Sequence, residues 1–269
     1  MRVRRLCLVV TLCCATASVV AQTVSDSVRV VRRTLLLDVG RSRVQDTYLS
    51  PHGYAGPSVG ALFVTERQAR WGGGRVSVMG IYGADGGFLQ REVGGGYRAW
   101  DASLTAAGGW HHNWHPARGL RLAAGGLMEL SLGGTYLSRG GNNPATGRAA
   151  VQCVASGIAE WDFRLGRVPL QVRAQLDVPL LGGMFSPEYG QSYYEIFSLG
   201  HYSHNVCFTH PFNAPSARLL TTLMVPVGRA RLVVGYRGEA RQSHIHDLKH
   251  HNWTHRFVIG YVRTLQWLR

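Results

Sequence analysis

Histidine crowds one stretch of this sequence, where His244, His246, His250, His251 and His255 surround Asp247. Imidazoles at such spacing can ligate zinc, copper or nickel, and His244 and His246 share a face of an extended chain. His244, His246, His250 and His251 are therefore the candidate metal ligands. No fixed ligand spacing stands out, so an exposed polar loop is the ordinary alternative. The same stretch admits a second chemistry. Asp247 beside His244 or His246 makes a pair that could orient and activate water for hydrolysis. Glu188 and Glu195 are the acidic residues available for an opposing pair. His111, His112 and His115 lie at an expected turn and read as structural.

Charges buried in strand-like segments are the third candidate. Arg121, Glu129, Glu160, Asp162, Arg164, Arg173, Asp177, Arg231, Arg237, Glu239 and Arg241 all fall on the polar parity of their segments. Buried charges of both signs must pair, so a salt-bridged plug is the favoured reading. A narrow anion path along Arg237, Glu239 and Arg241 is the alternative. The sequence carries no phosphate-binding glycine loop with a lysine, no HExxH and no CxxC. No catalytic residue and no cofactor is assigned.

The elements that would hold these residues follow from a period of two. Val172, Ala174, Leu176, Val178 and Leu180 alternate with Gln171, Arg173, Gln175 and Asp177. Leu122, Ala124, Met128, Leu130 and Leu132 alternate with Arg121, Glu129 and Ser131, and Leu232, Val234 and Tyr236 with Arg231 and Arg237. Such alternation means strands with one apolar and one polar face. A soluble sandwich buries the apolar face, whereas a membrane barrel turns it to lipid.

The connections separate these readings. Short turns are expected at His115–Gly119, Gly166–Pro169 and Pro226–Arg229. Longer connections are expected at Arg139–Arg148, Gly182–Asn213 and His244–Asn252. Barrels of outer membranes have short periplasmic turns and longer outer loops. Strands are expected near 33–46, 58–67, 74–83, 95–113, 120–137, 149–164, 170–182, 215–226, 230–243 and 253–265. The fold class is thus all-β, a transmembrane antiparallel β-barrel of about ten strands, with eight or twelve as alternatives. Trp110, Trp114, Trp161, Phe163, Tyr261 and Trp267 fall near one expected interface, Tyr136 and Trp253 near the other.

Arg2, Arg4 and Arg5 precede a short apolar run to Val20, which reads as a secretory signal peptide over residues 1–21, cleaved after Ala21. A lipoprotein anchor at Cys13 or Cys14 is the alternative, and Leu12 fits it poorly. Residues 22–269 then make one barrel domain. Removing the three leader arginines takes the net charge from +14 to +11. The basic residues are dispersed rather than clustered with stacking aromatics, which argues against nucleic acid. Outer-membrane lipid, lipopolysaccharide and the barrel-assembly machinery are the expected partners, with room for an unknown envelope or surface partner. Cys153 and Cys207 remain after cleavage. They could pair in an oxidising compartment, but Cys153 falls on the apolar parity, so an unpaired lipid-facing thiol is favoured.

Four blocks, Asp46–Pro57 (DTYLSPHGYAGP), Thr209–Leu219 (THPFNAPSARL), Gly235–Ser243 (GYRGEARQS) and His255–Val262 (HRFVIGYV), resemble a Bacteroidota domain-of-unknown-function family of uncharacterised outer-membrane β-barrel proteins. The resemblance spans nearly the whole mature chain and implies a barrel and an outer-membrane address in a Gram-negative envelope. It implies no reaction. The chain departs from the family in its density of arginine and histidine. A charge-plugged barrel that binds through its surface loops or supports the envelope is the expected function. A narrow channel for small anionic solutes and a rim hydrolase or metal site are the alternatives. The loop Gly182–Asn213, rich in Tyr189, Tyr193, Tyr194, Phe197 and Tyr202, is expected to be either a folded lid or a binding surface.

Overall fold

A computed structural model describes residues 29–139, 143–227 and 230–267. The expected leader, residues 228–229 of one expected turn and the side chain of Trp267 lie outside the described residues. Ten long strands form the wall: β1 (Arg29–Asp46), β2 (Gly53–Gln68), β3 (Val76–Arg91), β4 (Arg98–Ala117), β5 (Leu120–Leu137), β6 (Ala145–Leu165), β7 (Val168–Phe185), β9 (Ala217–Val227), β10 (Ala230–Ile245) and β11 (Leu248–Trp267). A short helix α1 (Tyr193–Phe197) and a short strand β8 (Val206–Thr209) lie between β7 and β9. Each wall strand pairs antiparallel with its neighbours in chain order. β11 returns to β1 and β6 pairs with β7, so the sheet closes on itself. Closure leaves the wall without the open edge that lipid would not tolerate.

Alternation along the strands separates outside from inside. On β1, Leu35, Leu37 and Val39 point outward while Thr34, Leu36 and Asp38 point inward. On β4, Trp100 and Trp110 are both exposed, with Ala102, Leu104, Ala106 and Gly108 between them on the same face. Ten residues of strand tilted by about 40° rise roughly 25 Å, the height of a barrel's apolar band. Trp161, Tyr261 and Trp114 are exposed near the short-turn end, and Trp253 and Tyr136 near the other. A wall whose outward rows are apolar while its carboxylates and guanidiniums are enclosed is the exterior of a transmembrane barrel.

The ten strands and their order agree with the expected count. Two connections differ. His244–Asn252 is not a loop: β10 and β11 run to a two-residue turn at His246 and Asp247, with φ of 53° and 60°. Histidine and aspartate enter this left-handed region more readily than most residues, and two in succession make a hairpin turn that follows the sheet's twist. At the opposite end, residues 69–75 form a longer connection in which Gly72, Gly73 and Gly74 take positive φ. Short and long connections therefore do not alternate strictly. Several strands also run further than expected, β2 from Gly53 and β3 to Arg91. Glycines interrupt the sequence alternation there, and the β2–β3 ladder is interrupted only at Gly56 and Pro57.

Some glycines are required by close approach of neighbouring strands. A Cβ on inward-facing Gly125 would lie 1.9 Å from the Trp110 carbonyl oxygen, and one on Gly109 would lie 2.0 Å from that of Gly126. A Cβ on Gly157 would meet nothing within 4 Å. Gly125→Ala is expected to destabilise the barrel by about 1–3 kcal/mol. Gly157→Ala should leave it unchanged. Denaturant titration of the detergent-folded protein, followed by mobility on unboiled gels, checks both.

Candidate functional site: the charged lumen and its lid

The inward faces of the strands divide by position along the wall. Nearest the short turns, Arg32 on β1, Arg121 on β5 and Arg173 on β7 surround Glu66 on β2 and Glu160 on β6. Arg121 donates to Glu66 at 2.6 Å and lies 2.5 Å from Glu160, and Arg173 reaches Glu66 at 2.8 Å. Arg32 pairs with Glu160 and bonds Gln171. Next comes an apolar zone that includes Leu36, Leu62, Val64, Met79, Ile81, Leu127, Ile158, Val233, Val258 and Val262, all buried.

Beyond it lies a second charged cluster. Asp38, whose side chain is 0% exposed, accepts from Arg237 and from Arg256, each at 3.1 Å. Asp85 takes both terminal nitrogens of Arg237, at 2.7 and 3.0 Å, and also pairs with Arg256. Arg237 Nη2 lies 3.3 Å from Glu239, which also pairs with Arg241. Arg218 on β9 joins Glu129 and Asp177. At the outer rim Arg148 bridges Asp46 at 3.3 Å and Asp101 at 2.6 Å, while Asn252 donates to Asp101 at 3.1 Å. Each of these charges sits in low dielectric, where an unpartnered ion costs several kcal/mol, so pairing decides whether the interior forms at all.

Little room is left. Two voids beside the inner cluster and the apolar zone measure about 20 and 30 Å³. A larger space of about 90 Å³ lies toward the outer end, lined by Glu129, Arg148, Arg218, Glu239, Arg241 and His250 among others.

A folded lid stands at that end. The Ser192 hydroxyl accepts from the Glu195 N–H, and the Glu195 carboxylate accepts from the Ser192 N–H at 2.6 Å, closing a capping box at the start of α1. Tyr193 stacks with Phe197, which in turn stacks with Phe185, and the Tyr193 hydroxyl accepts from the Gly147 N–H at 2.5 Å, tying the lid to β6. Tyr48, in the connection after β1, packs edge-on against Tyr193 and donates to the Gln191 carbonyl at 3.0 Å. Burial first, then Tyr193, Asp46 and Glu195, push its phenol up to about 12, so it remains a donor at neutral pH. β8 pairs with β7, and the His244 N–H donates to Asn213 at 2.8 Å. The loop is thus self-packed and anchored around the mouth. Its outer surface leaves Tyr189, Tyr194, Phe197, Tyr202, Phe208 and Phe212 exposed, the last at 95%.

Eight of the expected lumen charges, Arg121, Glu129, Glu160, Arg173, Asp177, Arg237, Glu239 and Arg241, point inward and are paired. Asp162, Arg164 and Arg231 do not join them. They sit where β6 and β10 meet the short-turn end and are exposed, and Asp162 accepts from Gln171 at 2.6 Å. Sequence reasoning missed Arg32, Asp38, Asp46, Glu66, Asp85, Asp101, Arg148, Arg218 and Arg256. Their parity, opposite to the outward apolar residues, is the signal that would have found them.

The histidines do not assemble into a metal site. His250 faces inward, 3.6 Å from Asp46, whereas His251 on the opposite face bonds Gln242 at 3.1 Å. His244 is exposed, and His246 sits in the turn, 3.5 Å from the Cys207 sulfur. No group of three potential ligands converges among the described residues. Asp247 and His244 are both exposed, and Glu195 is committed to the helix cap, so the acid–imidazole site for water is not built either. Among the described residues, Cys153 and Cys207 are both free. Cys153 is exposed on the wall, and burial followed by Glu188 raises the Cys207 thiol.

A family model described as protein of unknown function (DUF3316) matches residues 5–269. The chain belongs to that family. Among solved structures, the DUF3316 chain is similar to the outer membrane protease OmpT from Escherichia coli, with 8% identity, a TM-score of 0.49, and 91% of this chain and 99% of that one covered. It is also similar to the β domain of the Bordetella autotransporter BrkA, with 13% identity and a TM-score of 0.27 over 89% of this chain and all of that one. Pseudomonas aeruginosa OccK7 matches at 9% identity and a TM-score of 0.24, over 90% of this chain and all of that one. At these values no residue role passes to the present chain. No curated protein matches it.

Two outcomes follow from the geometry. Asp38→Asn removes the charge that two buried guanidiniums share and is expected to cost about 3–5 kcal/mol, read by denaturant titration of tryptophan fluorescence. The Glu195 carboxylate is held below its ordinary value of 4.5 by its bonds to Ser192. Its contribution to the α1 cap is therefore fully present above pH 4.5 and is lost as pH falls through the lower folded-state value. Protection from hydrogen exchange over residues 192–198, taken relative to the intrinsic rate at each pH, should fall in the parent as pH drops below 4.5, and Glu195→Ala should show the lowered protection already at pH 7.

Proposed function

We propose that this DUF3316 chain is exported through a leader cleaved after Ala21 and sits in the outer membrane as a closed, non-conducting barrel. Its role is to present the lidded end to the outside, as a surface-binding or envelope-supporting protein without catalysis. One observation carries this reading: the lumen is filled by an apolar zone between two ion-paired clusters, with voids near them of only about 20 and 30 Å³. A hydrated path for small anions would need positive charge left available along the axis. Arg237 and Arg241 instead spend their donors on Asp38, Asp85 and Glu239. The lid supports the outward role, because its exposed aromatics make a contact surface of the kind that dominates binding.

The test is conductance in a planar bilayer. The purified protein is expected to give no steps above baseline at ±100 mV in molar salt, with insertion verified by heat-dependent gel mobility of the recovered protein. Reproducible ohmic steps from the parent chain would overturn the sealed-barrel reading in favour of the narrow channel.

A further inference from the structure

The outer wall carries exposed arginines beside its outer aromatic row. On β1 the outward row Leu35, Leu37 and Val39 is followed by Arg41 and Arg43. On β4, Arg98 is exposed two residues before Trp100. Arg43 is partnered by Glu92 at 2.9 Å. Among the described residues, neither Arg41 nor Arg98 has a carboxylate at ion-pair distance. A guanidinium on the lipid face costs about 2–4 kcal/mol at mid-membrane and little near the headgroups. Arg98 lies just beyond Trp100, at the end of the apolar band, where lipid headgroups rather than acyl chains meet the wall.

The two arginines flank a groove in the exterior. A space of about 610 Å³ is bounded by Arg41 on one side, by Phe88, Gln90, Arg98 and Trp100 on the other, and floored by Ala55 and Pro57 of β2. The floor is shallow for a local reason. Pro57 has no N–H for the ladder, and no pairing to β3 is formed at Gly56 or Pro57, although it resumes on both sides. Gly56 also lets the strands approach, since a Cβ there would lie 2.1 Å from the Phe88 carbonyl oxygen. Phe88 and Trp100 pack edge to face at 5.8 Å and give the groove an apolar wall beside its charges. Cations above an aromatic and apolar wall match a molecule with an anionic head and hydrocarbon tails.

We propose that this groove binds the phosphorylated headgroup of an outer-leaflet lipid, with Arg41 and Arg98 meeting the phosphate and Phe88 and Trp100 lying along the upper acyl chains. Guanidinium and phosphate match in charge and bidentate geometry. The choice of lipid rests on the outer-membrane placement proposed above; the site itself rests on the wall geometry.

Native mass spectrometry of the full mature protein in detergent tests it, with phosphorylated lipid A, its dephosphorylated form and inorganic phosphate as probes. The parent should retain phosphorylated lipid A at least about tenfold more tightly than the dephosphorylated form, and Arg41→Gln/Arg98→Gln should lose about that factor. Arg263→Gln, at the short-turn end, should change nothing. Inorganic phosphate at millimolar concentration should neither bind stably nor displace the lipid. The single variants, each expected to lose part of the affinity, keep the test open if the double variant fails to fold. Equal retention of both lipid forms, undiminished binding by the folded arginine variants, or displacement by phosphate alone would overturn the proposal. Loss of this inference with conductance still absent would leave the sealed barrel standing, whereas ohmic steps with lipid binding intact would do the reverse.

Discussion

Asp38 is the charge on which the interior depends. It sits inside a membrane wall with its carboxylate wholly covered, held by Arg237 and Arg256, and both arginines turn also to Asp85. None of the four could be there alone. Strands β1, β3, β10 and β11 each contribute one member, so the cluster forms only when the first strands and the last have met. Ion pairing across the lumen thereby ties barrel closure to charge compensation. The same rule repeats at Glu66 and Glu160 near the short turns and at Arg148 near the rim. The outside of the wall then has one remaining demand, an apolar surface between two rows of aromatics, which short-period alternation supplies.

That division of labour explains why the lid can be elaborate while the wall is regular. Residues 186–216 carry no part of the lumen's charge balance, so they are free to fold on their own terms: a capping box, an aromatic stack and a short strand added to β7. Tyr48 and Gly147 fasten the lid to two distant parts of the mouth. The arginine-flanked exterior groove belongs to the wall instead, where the proline and glycine of β2 thin the surface beside exposed guanidiniums.

Much of the wall was legible because outward residues in lipid must be apolar, which makes Leu122–Tyr136 and Val172–Leu180 unmistakable as strands. The inward faces were less legible. On β1 that face reads Thr34, Leu36, Asp38, Gly40, Ser42 and Val44, a mixture in which a buried carboxylate looks accidental. Its partners lie up to 218 residues away in sequence, and no local pattern announces them. The histidine stretch misled in the opposite direction. Five imidazoles around an aspartate resemble a loop built to bind metal, yet the positive φ of His246 and Asp247 turns the segment into a hairpin. A strand pair then sends His250 and His251 to opposite faces.

The central claim is that the apolar face meets lipid and the charged face is enclosed. Cell fractionation of the mature protein, followed by gels run with and without boiling, tests it most directly. The account predicts a membrane-bound protein, resistant to extraction by high salt, whose mobility shifts on boiling. A soluble protein with unchanged mobility would contradict it and would mean that the apolar face is packed against protein.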